Sequence, residues 1–288
     1  MKYEICGIIK DEHLFLKEWI DYHLNIGFQK ITLFEDYGSK SHSEITKNYF
    51  NVELIPLVGN QLGIKDYHSS ATQMAAYNYY FRKCKKEQNA EWVLFTDVDE
   101  FLRFQDGYNL DKLTDEFKDY AGIWLSWRLY SSNGHIKRPK GNVIDNYTKP
   151  LDSTIAVDNA EQWKFKSFVN ISKAESFYQI HAIKGGVHTN YNDDLHSSQC
   201  WDKAWLNHYF CKSWEDYCER MQRRGNMSNN YRCYDAFFRC NPDLLPRKEE
   251  MIESIRYKHN KCCMWISRDL KLISGGNLAA IEELKKFV

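Results

Sequence analysis

Short apolar runs alternate with segments of helical spacing over the first half of this chain, and that rhythm restricts the fold more than any other feature. Residues 3–9, 31–34, 52–57 and 92–96 are apolar stretches of strand length, the third closed by Pro56. Between them, Leu16, Trp19, Ile20, His23 and Leu24 fall on one face of a helix expected over 14–27. A second helical pattern covers 69–86, and another strand is expected over 123–130. A β-α-β-α-β order with buried strands argues for an α/β fold with a mostly parallel central sheet covered by helices.

The second half is less regular. Residues 133–158 are polar and turn-rich, and 163–171, 178–183 and 206–210 read as strands. Ser213 with Asp216 three residues on forms a capping-box pattern that opens a helix running to about Gln222. Residues 246–288 are expected to hold two or three short helices.

With 288 residues the chain can bury a sizeable core, as one large domain or one domain with an elaborated end. Lys+Arg (39) equals Asp+Glu (39), so no broad field attracts nucleic acid, and a nucleic-acid enzyme is the least favoured class. Neither G-x-G-x-x-G nor a P-loop pattern occurs, which argues against a dinucleotide fold and a P-loop. The nine cysteines are scattered, odd in number and without a C-x-x-C pair, which fits a reducing cytosol better than a disulfide framework or a zinc module. No run approaches transmembrane length, and Met1-Lys2-Tyr3-Glu4 leads straight into a strand, so the expectation is a soluble cytoplasmic protein without signal peptide, at most peripheral to the inner face of a membrane.

The sharpest chemical signal is Trp92-Val93-Leu94-Phe95-Thr96-Asp97-Val98-Asp99-Glu100. A buried strand delivers two carboxylates, one residue apart, to its C-terminal edge, where open α/β sheets bind ligands. Hard divalent cations such as Mn2+ or Mg2+ take one or two protein carboxylates and fill the shell with phosphate and water. In this reading Asp99 is the direct ligand, with Asp97 a ligand as well or acting through ribose or bound water. Glu100 either supports the site from behind or starts a helix. Taken alone, an Asp-x-Asp strand end is equally a common turn. The loops Lys10-Asp11-Glu12 and Glu35-Asp36-Tyr37-Gly38-Ser39 lie at the same edge if the sheet is parallel, and their carboxylates suit ribose hydroxyls or base N–H groups; the plain alternative is a pair of surface turns.

These segments together resemble the opening of glycosyltransferase family 92 and its bacterial relatives in the wider family-2-like group. The resemblance runs through Lys10-Asp11-Glu12, Leu16 to His23, Gly27-Phe28 and Asp36 to Ser39. It continues through Gln73-x-x-Ala76-Tyr77-Asn78, Trp92 to Leu102, Ser132-Asn133-Gly134-His135 with Arg138-Pro139, and Lys166 to Val169. It closes on Asn207-His208-Tyr209, Lys212 to Glu215 and Arg223-Arg224-Gly225. Asp11 and Tyr37 depart from the family, where Asn is usual at both places. The resemblance implies a GT-A fold, Rossmann-like, over residues 1–225, with a C-terminal helical extension over 226–288. It implies a metal-dependent transfer of a hexose, with inversion, from a nucleotide sugar, usually UDP-linked, to a carbohydrate or glycolipid acceptor, in surface polysaccharide or lipopolysaccharide synthesis. By the same resemblance His208 is a third metal ligand beside Asp97 and Asp99, with His181 as its rival. Lys10, Asp11, Glu12, Asp36, Gln73 and Asp97 face the nucleotide sugar; so do Asn133, His135 and Arg138. Lys212, Arg223 and Arg224 neutralise the diphosphate, one or more of them alternatively lying on a solvated helix face. An inverting transfer needs a base, for which Asp193, Asp194 and Glu215 are the candidates. The competing readings are a metal-dependent nucleotidyl- or phosphotransferase on the same carboxylates, and a non-catalytic carbohydrate-binding protein. The 15% aromatic content suits sugar stacking or core packing alike.

Overall fold

A computed structural model describes residues 2–36, 39–57, 69–151, 164–188, 202–222 and 234–256. The parallel half of the sheet consists of β1 (Tyr3–Ile9), β2 (Lys30–Glu35), β3 (Val52–Pro56) and β4 (Trp92–Phe95), linked through α1 (Leu16–Asn25), α2 (Ser43–Thr46) and α3 (Ser69–Glu87). Then come β5 (Glu100–Phe104), α4 (Leu110–Glu116), β6 (Gly122–Leu129), α5 (Val143–Asn146) and β7 (Phe165–Asn170). The hairpin β8 (Ser176–Gln179) and β9 (Ala182–Lys184) precedes β10 (Ala204–His208), α6 (Trp214–Gln222), α7 (Tyr234–Cys240) and α8 (Lys248–Arg256), with a 3-10 turn at Pro242–Arg247.

Among the described residues the main sheet has eight strands in the order β3-β2-β1-β4-β7-β6-β10-β5. The first four are parallel; β7 then runs antiparallel to both β4 and β6, and β10 pairs parallel with β6 and antiparallel with β5. A parallel half followed by a mixed half is the arrangement expected of a GT-A fold.

Both faces of the parallel half are covered, and the two-residue side-chain period sorts its residues. Ile5, Ile9, Ile31, Leu33, Trp92 and Leu94 join α1 and α4 in one core, whereas Cys6, Ile8, Phe34, Val93 and Phe95 pack with Ala76, Tyr77, Tyr80 and Phe81 of α3 in the other. Helix α1 buries Leu16, Trp19, Ile20 and His23, the i, i+3, i+4, i+7 stripe. It also fixes the start of β5. Trp19 Nε1 donates to the Glu100 carbonyl at 2.7 Å, Tyr22 Oη donates to the Leu102 carbonyl at 2.6 Å, and His23 Nε2 accepts the Leu102 amide at 3.4 Å. Burial pushes His23 down to about 3, so it stays neutral and can accept.

Two expectations change. Glu100 starts no helix; it is the first residue of β5, because its backbone pairs across to His208 on β10. The strand expected over 178–183 is instead the β8–β9 hairpin, with His181 in the turn. At the break the His181 ring lies against β7, its Nδ1 2.8 Å from the Phe165 carbonyl. The capping box is present. Ser213 Oγ accepts the Asp216 amide at 3.1 Å, while the Asp216 carboxylate accepts from Ser213 Oγ at 2.6 Å and from its amide at 3.3 Å.

Candidate active site

The site forms where β1, β2 and β4 end together, the C-terminal edge of the parallel half. β4 hands the chain to a turn whose shape is set by Glu100. Its Oε2 accepts from Thr96 Oγ1 at 2.5 Å and from the Asp97 amide at 3.0 Å. Gly7 sits under this turn, where a Cβ would meet the Thr96 carbonyl at 3.0 Å, so the close approach of β1 depends on the missing side chain.

Asp97 and Asp99 have different neighbours. Asp97 Oδ1 accepts from Gln73 Nε2 of α3 at 2.9 Å, and Oδ2 accepts from Lys166 Nζ of β7 at 2.8 Å. Asp99 is buried; its Oδ2 accepts from Arg220 Nη1 of α6 at 2.5 Å and lies 3.5 Å from His208 Nε2. Burial alone would raise the Asp99 carboxyl, but Arg220 and then His208 override it and hold it well below the usual carboxylate range. Lys166 is fully buried. Burial works against its charge, yet Asp97 and Glu100 together keep it above the usual lysine value. Glu100, also fully buried, is pushed up to about 8, first by burial and then by Asp97 and Asp99, against the pull of Lys166. The nearest cation, Lys166, is committed to Asp97 and stands 3.9 Å from Glu100.

Asp99, Glu100 and His208 each offer a ligand atom, all within 4.8 Å of one another. Two carboxylates and an imidazole form a donor set suited to Mn2+. Glu100 Oε1 is buried and makes no hydrogen bond among the described residues, an acceptor with capacity left for a cation. The residues present therefore fit a divalent ion. The β5–β10 register builds the cluster, since His208 stands opposite Glu100 and the Tyr209 amide donates to the Asp99 carbonyl at 2.9 Å. Of the expected metal residues, Asp99 and His208 come together, and Asp97 stands beside them, held by Gln73 and Lys166. His181 is not in the cluster.

The residues expected to face the nucleotide also meet, on the segments that follow β1 and β2. Lys10 Nζ donates to Asp36 Oδ2 at 3.1 Å, and the Lys40 amide donates to Asp11 Oδ1 at 3.0 Å. Lys212 is buried beside the same edge, its Nζ 4.6 Å from the centre of the Phe15 ring. Burial depresses its ammonium, opposed by Asp99 and Glu12.

Asn133, His135, Arg138 and Glu215 gather where the loop after β6 packs against the start of α6. Asn133 ties its loop to Thr148 and Lys149, and the His135 carbonyl accepts the Trp214 amide at 3.0 Å. Arg138 Nε donates to Asp216 at 2.5 Å and its Nη2 to Glu219 at 2.5 Å. Glu215 accepts the Arg138 amide at 3.0 Å and Lys137 Nζ at 3.1 Å; the first of these leads in holding its carboxyl below the usual range. Asp193, Asp194, Arg223 and Arg224 lie outside the described residues.

Sequence reasoning missed Lys166 and Arg220 in site roles and placed Glu100 only as a support behind the site or a helix start. Glu100 was visible as a third acid beside the Asp pair, but not as the acceptor that shapes the turn. Lys166 left a signal, a lone lysine inside the apolar run Phe165-Lys166-Ser167-Phe168-Val169. Arg220 left none, because an arginine on an amphipathic helix is ordinarily solvated.

Residues 5–235 match the family model of Glycosyltransferase family 92. A family 92 protein of Oryza sativa subsp. japonica is 22% identical over 228 residues, covering 76% of this chain and 35% of that protein. One of Arabidopsis thaliana is 23% identical over 227 residues, covering 76% and 37%. The chain thus spans just over a third of the length of these relatives. Among solved structures, the S. cerevisiae mannosyltransferase Ktr4p in complex with GDP is 14% identical with a TM-score of 0.27, covering 46% of this chain and 41% of that one. The Mycobacterium tuberculosis glucosyl-3-phosphoglycerate synthase in complex with Mn2+, UDP and glucosyl-3-phosphoglycerate is 12% identical with a TM-score of 0.29, covering 44% of each. Overlaps this partial carry no weight here; the family assignment rests on the sequence match.

Proposed function

The chain belongs to glycosyltransferase family 92, and from that premise we propose that it transfers a hexosyl group from a UDP-linked sugar to a hydroxyl of a saccharide acceptor, with inversion. The observation that carries the reading is the convergence of Asp99, Glu100 and His208 within 4.8 Å at the ligand edge of the sheet. A Mn2+ or Mg2+ ion held by these three would neutralise the diphosphate as it departs. The chain's own cations extend that role. Arg220 and Lys212 flank Asp99, and positive charge there stabilises the leaving group more in the transition state than in the ground state. Asp97, fixed through both oxygens, presents a rigid carboxylate edge toward the ribose. Glu215, whose oxygens accept from Lys137 and the Arg138 amide, stays with Asp193 and Asp194 a candidate for the base. An acceptor on the route to a surface polysaccharide or lipopolysaccharide, met in the cytoplasm at a membrane face, belongs to the same proposal. No described helix is long and apolar enough to cross a membrane.

Donor hydrolysis across UDP-, GDP-, CMP- and dTDP-sugars, with Mn2+ and with EDTA, tests the reading. The expected result is release of UDP that stops in chelator and is abolished in Asp99→Ala while the fold is retained. Pyrophosphate as product would favour nucleotidyl transfer. Sugar binding indifferent to Asp99 would favour a carbohydrate-binding protein.

A further inference from the structure

We propose that His42 is a positioning residue for the donor nucleotide: held as the neutral Nδ1–H tautomer by Glu35, it fixes the Glu12 amide and, through it, the loop 10–12. The inference rests on the reading that this sheet edge binds a nucleoside diphosphate. His42 is fully buried between the ends of β1 and β2. One oxygen of Glu35, the last residue of β2, takes two hydrogen bonds from it, from the backbone amide at 2.7 Å and from Nδ1 at 2.8 Å. A carboxylate only accepts, so Nδ1 carries the proton. Nε2 is then the acceptor, and the Glu12 amide donates to it at 2.9 Å. Both ring nitrogens are satisfied in this one protonation state.

The contact matters because loop 10–12 is held from outside rather than by its own conformation. Asp11 is a non-glycine residue at φ 52, a conformation that persists only where the surroundings enforce it. Its amide donates to Ser39 Oγ at 3.1 Å and its carboxylate accepts the Lys40 amide at 3.0 Å. The His13 ring stacks on His42 at 3.9 Å, with Nε2 3.0 Å from the Ser41 carbonyl. Segments 10–13 and 39–42, with Glu35, thus form one platform, and His42 is its buried hub. The charge of Glu12 also reaches Lys212, which feels Asp99, so a displaced Glu12 would disturb both the nucleotide edge and the metal edge.

A protonated His42 would turn Nε2 into a donor aimed at the Glu12 amide, itself a donor. The groups that bear on it are Glu35 from β2 and Asp11 and His13 from the loop after β1. Burial pushes the imidazolium below the usual histidine range, opposed by Glu35 and assisted by His13. Nucleotide affinity is therefore full through the usual histidine range and falls only as pH drops below it.

The test is calorimetry of UDP and GDP with Mg2+ present, from about pH 7.5 to about pH 5, on wild type, His42→Ala and His42→Gln. A glutamine can offer Oε1 near the place of Nε2 and does not titrate. His42→Ala should weaken binding about tenfold at the upper pH, the cost of one lost buried hydrogen bond. His42→Gln should stay within about threefold of wild type there, and the ratio of the two affinities, in which the ligand's own phosphate titration cancels, should move in favour of the variant as pH falls. A wild-type-to-Gln ratio independent of pH, or a Gln variant as weak as the Ala variant at the upper pH, overturns the proposal. The Glu12 amide proton shift, followed by NMR without nucleotide, separates the two levels. If it titrates in wild type and not in His42→Gln while neither nucleotide binds, the coupling stands and the donor-site reading falls.

Discussion

Lys166→Met removes the buried cation of the acid turn while keeping an apolar stem of similar length. Lys166 Nζ lies 2.8 Å from Asp97 and 3.9 Å from Glu100, and the lysine side chain is fully buried. Removing one partner of a buried ion pair costs about 3–5 kcal/mol, because the other charge is left without compensation. Here the cost is smaller. The Asp97 side chain is 35% exposed and keeps its Gln73 bond, so water screens part of the loss, and Glu100, pushed up to about 8, already holds its proton near neutral pH. Allowing for both gives a loss of about 2–3 kcal/mol, or about 4–12 °C in Tm for a chain of this size. Thermal and urea unfolding in EDTA measure it. The double variant Lys166→Met/Asp97→Asn should recover part of the loss, since the stranded charge is gone. A pH series adds a sign. The Glu100 carboxyl, pushed up to about 8 from 4.5 by burial, binds a proton in the folded chain that the unfolded chain has released. Wild-type stability therefore declines as pH rises across that window. Without Lys166 the carboxyl rises further and the decline extends to higher pH. A Tm within about 1 °C of wild type, below the shift expected for even 1 kcal/mol, would refute the reasoning that the pair compensates buried charge.

Two further outcomes follow from the same geometry. Arg220 leads the interactions that hold Asp99 well below the usual carboxylate range, and a depressed folded-state value contributes stability that is present above the unfolded value and lost as pH falls through the folded one. Arg220→Gln should therefore raise the midpoint of acid unfolding, and an unmoved midpoint in a circular-dichroism titration would count against the pairing. Asp36→Ala removes both a carboxylate at the nucleotide edge and the partner of Lys10 at 3.1 Å; UDP binding should weaken by about 1–3 kcal/mol, and unchanged affinity in calorimetry would remove Asp36 from the donor site.

Local pattern in the sequence determined a good deal. Apolar runs and helical spacing located β1 to β4 with α1 and α3, because burial on a sheet or on a helix face leaves a period that neighbouring residues carry themselves. The Asp97-Val98-Asp99 turn was legible for the same reason: a buried strand ending in acids is a local statement. So was the Ser213–Asp216 capping box, whose bonds close within four residues. What made these pieces a site was decided only in three dimensions. Glu100 faces His208 because β5 pairs antiparallel with β10, and Lys166 reaches Asp97 because β7 inserts between β4 and β6. Arg220 reaches Asp99 from α6, and His42 meets Glu12 across two loop ends. Strand order and register are set by competition among distant pairings for one buried surface, and buried charges are chosen by whichever partners that packing supplies. Neither quantity is a property of any short stretch of chain, so the acids could be read in the sequence, and His208 beside them through the family resemblance, while their cations and their protonation could not.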